Sequence, residues 1–169
     1  MFSTLRTLFQ PRFPADALYL AVVTKARQPD WFTVGAVPDS IDGRFDMVAL
    51  VFALVHRALE RDAASSAFLV SLTERFVDDM DESLRELGIG DMVIGKHVGR
   101  LMGALGGRLG AYRTALDTGE GLADVLTRNL YRGVGPADPA LGWMTSAVTK
   151  LAANIDAMSS ADLKSGRLP

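Results

Sequence analysis

AASSAFLVSLTERFVDDMDESLREL, residues 63–87, is the stretch whose reading decides the fold. Phe68, Leu69, Leu72, Phe76, Met80, Leu84 and Leu87 recur at three- and four-residue steps, the spacing that puts side chains on one face of an α-helix. Glu74, Arg75, Asp78, Asp79, Glu82, Arg85 and Glu86 take the other face. Gly88-Ile89-Gly90 stops the pattern, because glycine enters the left-handed conformation without a Cβ penalty, and Asp91 is placed to cap the next helix. That helix continues to Asp117 through Ile94, Val98, Leu101, Leu105, Leu109, Tyr112 and Leu116. The two are expected to fold back on each other as a long antiparallel hairpin.

Working outward, a first helix starts at Pro14, which suits an initial helical position, and runs through Leu18, Val22 and Ala26 until Pro29 stops it. DWFTVGAVPDSIDG, residues 30–43, reads as a loop. Its Trp31, Phe32, Val34, Val37 and Ile41 give it more apolar surface than a solvated connection carries, so it is expected to pack on the core. Asp39, Ser40 and Asp42 are candidate caps for a second helix over residues 43–60. Beyond the hairpin, Gly119 and Gly121 break the pattern, residues 121–132 supply a short helix, residues 133–139 turn, and residues 140–158 form a last helix. No stretch alternates with a period of two. The expected fold is all-α, a single-domain bundle of about five to six helices around the central hairpin. An amphipathic segment at residues 1–13 precedes the domain, read as residues 14–158, and a loose polar tail at 159–169 follows it.

At 169 residues the chain suits one compact domain, and its 49% hydrophobic and 22% charged composition supports a real core. It has no cysteine, which excludes disulfides, zinc-thiolate sites and cysteine nucleophiles. A net charge of −2 argues against nucleic acid as a partner. The longest apolar run, Met47 to Val55, ends at Asp46 on one side and His56-Arg57 on the other, well short of the ~20 residues that span a bilayer, and reads as a buried helix core. Residues 1–13 carry Phe2, Leu5, Leu8 and Phe9 at helical spacing with Arg6 and Arg12. They either dock on their own domain or lie on an anionic membrane surface. They lack the features of a secretory signal, so the expected location is the cytoplasm, or the inner-membrane surface where the second of these readings applies.

Several clusters invite chemistry. Asp78-Asp79-Met80-Asp81-Glu82 fits the DDxxD/E pattern by which prenyl-diphosphate enzymes hold magnesium, but no second acidic motif accompanies it. The plainer reading is a solvated face with ion pairs such as Asp81 to Arg85 and Asp78 to Arg75. Gly95, Gly99, Gly103 and Gly107, with Gly106 and Gly110 beside them, cost a helix about 1 kcal/mol each relative to alanine. Either they pack against the second or third helix, or Gly99, Gly103 and Gly107 form a groove that accepts a client segment. His56 and His97 sit among apolar or basic neighbours and are not read as ligands. Ser40 reads as a cap. Arg44 opposes the helix dipole in a first turn, so a buried or half-buried salt bridge tying the loop to the hairpin is expected there. No metal or cofactor is expected, and no glycine-rich loop followed by lysine and serine or threonine is present to cradle phosphates.

Three segments together resemble the ubiquinol-cytochrome c chaperone family. They are Ala26-Arg27-Gln28-Pro29 with Val37-Pro38-Asp39-Ser40-Ile41-Asp42-Gly43-Arg44-Phe45, then Asp78 through Asp91, then Ile94-Gly95-Lys96. The resemblance spans residues 18–115. It departs from the family at Gly99, Gly103, Gly106 and Gly110, where members have larger residues. The resemblance implies a non-enzymatic assembly chaperone of the cytochrome bc1 complex with cytochrome b as client. Mitochondrial relatives work near the ribosomal tunnel exit with a small helical partner. It also implies that Pro38, Asp39, Asp42, Gly43, Arg44, Phe45, Asp79, Asp81, Arg85, Gly88, Gly90, Asp91, Gly95 and Lys96 belong to the family motif or a partner-binding surface. The alternatives are a helical interaction or membrane-surface module of another pathway, and a magnesium-dependent prenyl-diphosphate enzyme.

Overall fold

A computed structural model describes residues 14–86 and 91–169, apart from the side chains at 84, 91, 92, 94, 97, 98 and 101. Within them the chain forms α1 (Asp16–Ala26), α2 (Asp30–Thr33), α3 (Ile41–Glu60), α4 (Ser66–Glu86), α5 (Asp91–Thr118), α6 (Leu122–Asn129), α7 (Asp138–Asp156) and α8 (Ser160–Lys164). A 3-10 turn at Ala63–Ser65 leads into α4. No strand occurs among the described residues, and the all-α, single-domain reading holds. Six of the helices have eight residues or more, and α2 and α8 are single turns.

The centre of the bundle is α3. It touches α1, α4, α5, α7 and α8, and every residue from Met47 to Val55 is buried, as its unbroken apolar run requires. The α4–α5 hairpin packs on one side of it. Phe76 of α4 joins three elements through ring contacts: 5.1 Å to Phe52 and 6.0 Å to Phe45 on α3, and 6.3 Å to Tyr19 on α1. Such offset and edge contacts add to the area the rings bury. At the other end of α3, Arg57 reaches Asp117 of α5 at 2.7 Å and Asp156 of α7 at 2.8 Å, closing the bundle with charge-assisted bonds. Gly119 and Gly121, with φ of +74° and +73°, make the sharp turn from α5 into α6.

Two expectations change. The stretch 30–43 contains a helical turn, Asp30–Thr33, and it packs down through Trp31, which is buried, donates from Nε1 to the Lys25 carbonyl at 2.8 Å and meets Trp143 of α7 at 5.7 Å. The segment after Ser159 is not loose. Ser159 caps α8 by accepting from the Asp162 amide at 3.0 Å, and Leu163 is buried among α1 and α3. Five residues cannot hold a helix alone, so this turn exists because Leu163 has a core to enter. No helix of the described residues is long and apolar enough to cross a membrane.

Candidate functional site

The first motif segment is held in place from both ends. The Val37 amide donates to the Trp31 carbonyl at 3.1 Å, and Ser40 caps α3 by accepting from the Gly43 amide at 3.1 Å. Gly43 has a steric reason to be glycine: an added Cβ would collide with the Pro38 carbonyl oxygen. Val37 and Gly43 are therefore inside, while Pro38, Asp39, Ile41, Asp42 and Arg44 are exposed and Phe45 is half-buried. The segment presents a small mixed surface, polar at Asp39, Asp42 and Arg44 and apolar at Pro38 and Ile41.

Arg44 does not form the expected tie. It pairs with Asp39 at 2.7 Å with both side chains about 60% exposed, five residues apart in sequence. The pair holds the Asp39 carboxyl below the usual carboxylate range, and it joins the loop only to its own helix. The fully buried charge is Asp46, two residues on. Its side chain is 0% exposed and takes Arg108 of α5 at 2.8 Å on one oxygen and Arg132 Nε at 2.8 Å on the other. Burial pushes the Asp46 carboxyl up, and Arg132 and Arg108 pull it back.

Arg132 also reaches Asp42 at 2.8 Å, so it spans the buried and the exposed acid. It does this from a left-handed backbone, φ +53°, which costs a non-glycine residue about 1–2 kcal/mol and persists here because its bonds fix it. Beside it, Tyr131 donates to the Gly35 carbonyl, and burial moves its phenol up to about 12. Arg108 stacks 5.4 Å over the Phe45 ring. Two segments far apart in sequence, α5 and residues 131–132, thus converge on the 35–46 segment. The sequence offers one signal for this network: Asp46 and Arg108 are lone charges beside apolar or glycine-rich runs. Arg132, 86 residues from Asp46, has no local signal.

The acidic cluster on α4 is divided among separate partners. Asp79 accepts from Tyr19 Oη at 2.7 Å, and Arg75 lies 3.9 Å from it, pairs with Asp16 at 3.1 Å and stacks 5.1 Å over the Tyr19 ring. Burial first, then the Asp79 charge, push the Tyr19 phenol up. Asp81 and Arg85 make the expected i,i+4 pair at 2.9 Å on the surface. No group of three or more histidines or acids suited to a metal ion occurs among the described residues. Asp79 fastens α1 to α4, and Asp81 supports its own helix.

On α5, Gly95, Gly99, Gly103, Gly106 and Gly107 are exposed, and a Cβ added at any of them, or at the half-buried Gly110, would meet nothing within 4 Å among the described residues. Packing against α3 or α4 is therefore not what keeps them glycine. Lys96 is exposed on the same helix. Asp91 opens α5, but its side chain, with Gly88 and Gly90, lies outside the described residues, as does the 1–13 segment.

This bundle has the fold of a known structure. The crystal structure of the Cbp3 homolog from Brucella abortus superposes with a TM-score of 0.79 at 32% sequence identity, covering 92% of this chain and 87% of that one. The family model described as ubiquinol-cytochrome C chaperone matches residues 34–168. The chain therefore belongs to the ubiquinol-cytochrome c chaperone family. The match runs past residue 115, where the resemblance of the three motifs ends, and takes in α6, α7 and α8. No curated protein sequence matches the chain.

Proposed function

We propose that this protein is an assembly chaperone of the cytochrome bc1 complex, which binds newly made cytochrome b and holds it for insertion without catalysis. The observation that carries this reading is the family match over residues 34–168 together with the shared bundle of the Cbp3 homolog. Holding is by surface complementarity, in the cytoplasm or at the inner face of the membrane. Deleting the gene tests it: haem b absorbance and bc1 activity should both fall, and normal cytochrome b in the deletion strain would refute the role.

Two surfaces are proposed for client contact. One is the exposed part of the 38–44 segment with Asp81 and Arg85; the other is the face bearing Gly99, Gly103 and Gly107. The open space around those glycines supports the second, since a flat, side-chain-free helix face lets another backbone approach. A Gly99→Leu/Gly103→Leu variant should fold, because nothing there is displaced, and should lose capture of cytochrome b. Unchanged capture by the folded variant would remove the groove from the reading.

A further inference from the structure

Tyr131 and Arg132 tie the turn after α6 to the segment before α3. Tyr131 donates to the Gly35 carbonyl, and Arg132 reaches Asp42 at 2.8 Å. Next to these ties stand three of the six large apolar side chains that are exposed among the described residues. They are Val34 beside Gly35, Ile41 beside Asp42, and Val134 just past Arg132, at 46%, 67% and 83% exposure. None of the three hangs on loose chain. The Val34 amide donates to the Asp30 carbonyl at 3.0 Å, the Val134 amide donates to the Tyr131 carbonyl at 3.1 Å, and Ile41 opens α3 directly after its Ser40 cap.

The backbone is strained on both sides of this joint. Ala36 and Arg132, each with φ +53°, are the only non-glycine residues in the left-handed region among the described residues, and one lies in each tied segment. Such strain persists where surrounding bonds over-determine it, and it gathers at sites that must hold one shape. Charge and size indicate what fits there. Residues 34–44 and 131–136 carry two acids, Asp39 and Asp42, and two bases, Arg44 and Arg132. All four are paired, Arg44 to Asp39 at 2.7 Å and Arg132 to Asp42 at 2.8 Å. The rim therefore has no net charge to draw in an anionic lipid, a nucleic acid or a basic loop, and it suits an occupant that is itself uncharged. Three side chains also fall well short of the ~800 Å² per partner that a standard interface between folded chains buries. A single apolar segment matches both the charge and the size.

We propose that Val34, Ile41 and Val134 form a seat for one uncharged apolar stretch of a membrane protein that has not yet entered the bilayer. The proposal rests on the chaperone reading for the kind of occupant and on the geometry for the place. Its test uses the full-length protein and a fluorescent probe, a leucine–alanine segment of about 20 residues, the length of one membrane span, fused to a soluble carrier. The probe should bind, and added salt should leave the affinity unchanged, because no net charge is involved. Ile41→Ser/Val134→Ser should weaken binding roughly 30-fold through the lost burial of two aliphatic side chains. Both residues are exposed, so that variant should melt like the parent. Val70→Ser, at an exposed position on α4, should bind the probe as the parent does. A probe with two lysines at its centre should bind at least about tenfold more weakly, since a charge cannot be buried there without a partner.

Absence of binding, parental affinity in the Ile41→Ser/Val134→Ser variant, or equal affinity for the lysine-bearing probe each overturns the seat. So does a dimer in sedimentation equilibrium that the double variant dissociates, which would assign the patch to a second copy of the chain. The deletion strain decides the chaperone role separately. Normal cytochrome b in that strain, with probe binding intact, would sink the assembly role and keep the seat. Lost cytochrome b together with no probe binding would sink the seat alone.

Discussion

Arg108 of α5 donates to the carboxylate of Asp46 on α3 at 2.8 Å, with the acid fully enclosed and the arginine 14% exposed. The two residues are 62 apart in sequence and join the hairpin to the central helix. An enclosed ion pair of this kind is worth little against an apolar substitute of the same shape, but removing one partner leaves the other charge buried and uncompensated. Asp46→Ala should cost about 3–5 kcal/mol in urea unfolding, by the measured cost of breaking such pairs. Arg132→Ala should cost about 1 kcal/mol or less, because Arg132 is half-exposed and Arg108 still pairs with the acid. Equal losses in the two variants would show that the network is not centred on Arg108.

Two glycines should respond in opposite directions to the same substitution. Gly43→Ala sets a methyl group against the Pro38 carbonyl and should destabilise by about 1–3 kcal/mol through backbone displacement. Gly103→Ala adds a methyl group in open space and should stabilise α5 by about 1 kcal/mol, the difference in helix propensity. Thermal or urea melts of the two variants decide it. A destabilised Gly103→Ala would mean that α5 has a covered glycine face in solution.

All three tyrosines have their phenols pushed up, Tyr131 to about 12 by burial, Tyr112 by burial, and Tyr19 by burial and Asp79. In the unfolded chain they ionise near ~10. Between those values the unfolded state has lost protons that the folded state keeps, so stability falls as pH rises through 10 and continues to fall toward about 12. Below ~10 the phenols leave stability unchanged. Phenolate absorbance should therefore appear together with loss of helical signal. Phenolate appearing near pH 10 in still-folded protein would contradict the burial.

Leu163 anchors the last helical turn, buried to 1% exposure between α1 and α3. Leu163→Ala should cost about 2–3 kcal/mol, the low end for a buried leucine because a terminal turn can relax around the gap. Removing everything after Ser159 should cost at least as much. A truncated protein with an unchanged urea midpoint would show that the turn adds nothing to the core.

Arg44→Ala should leave the urea midpoint where it is, since the Arg44–Asp39 pair stands in solvent. A clear loss of stability would mean that the pair closes onto the hairpin in solution.

What the sequence by itself determined was whatever depends on neighbours within a few residues. The three- and four-step spacing from Phe68 to Met80 makes α4, the apolar run Met47–Val55 makes a buried α3, Ser40 is placed to cap it, and Asp81 meets Arg85 one turn later. The motif segments carried the family as well, because identity at fixed positions survives without coordinates. Everything that required two distant segments to meet was decided by the tertiary structure. Arg44 was the visible candidate for a tie to the hairpin, yet folding gave that part to Asp46, which Arg108 and Arg132 reach from 62 and 86 residues away.

The same division explains the glycines and the tail. Six glycines on one helix imply a reason to be small, but only the packed bundle shows that no described neighbour presses on them. A lone Leu163 in a polar stretch has no periodicity, and it becomes core only because α1 and α3 leave it a place. Backbone hydrogen bonding and side-chain spacing act over one or two turns and can be read along the chain. Burial, and the pairing of charges that burial demands, depend on which surfaces meet after the chain has collapsed.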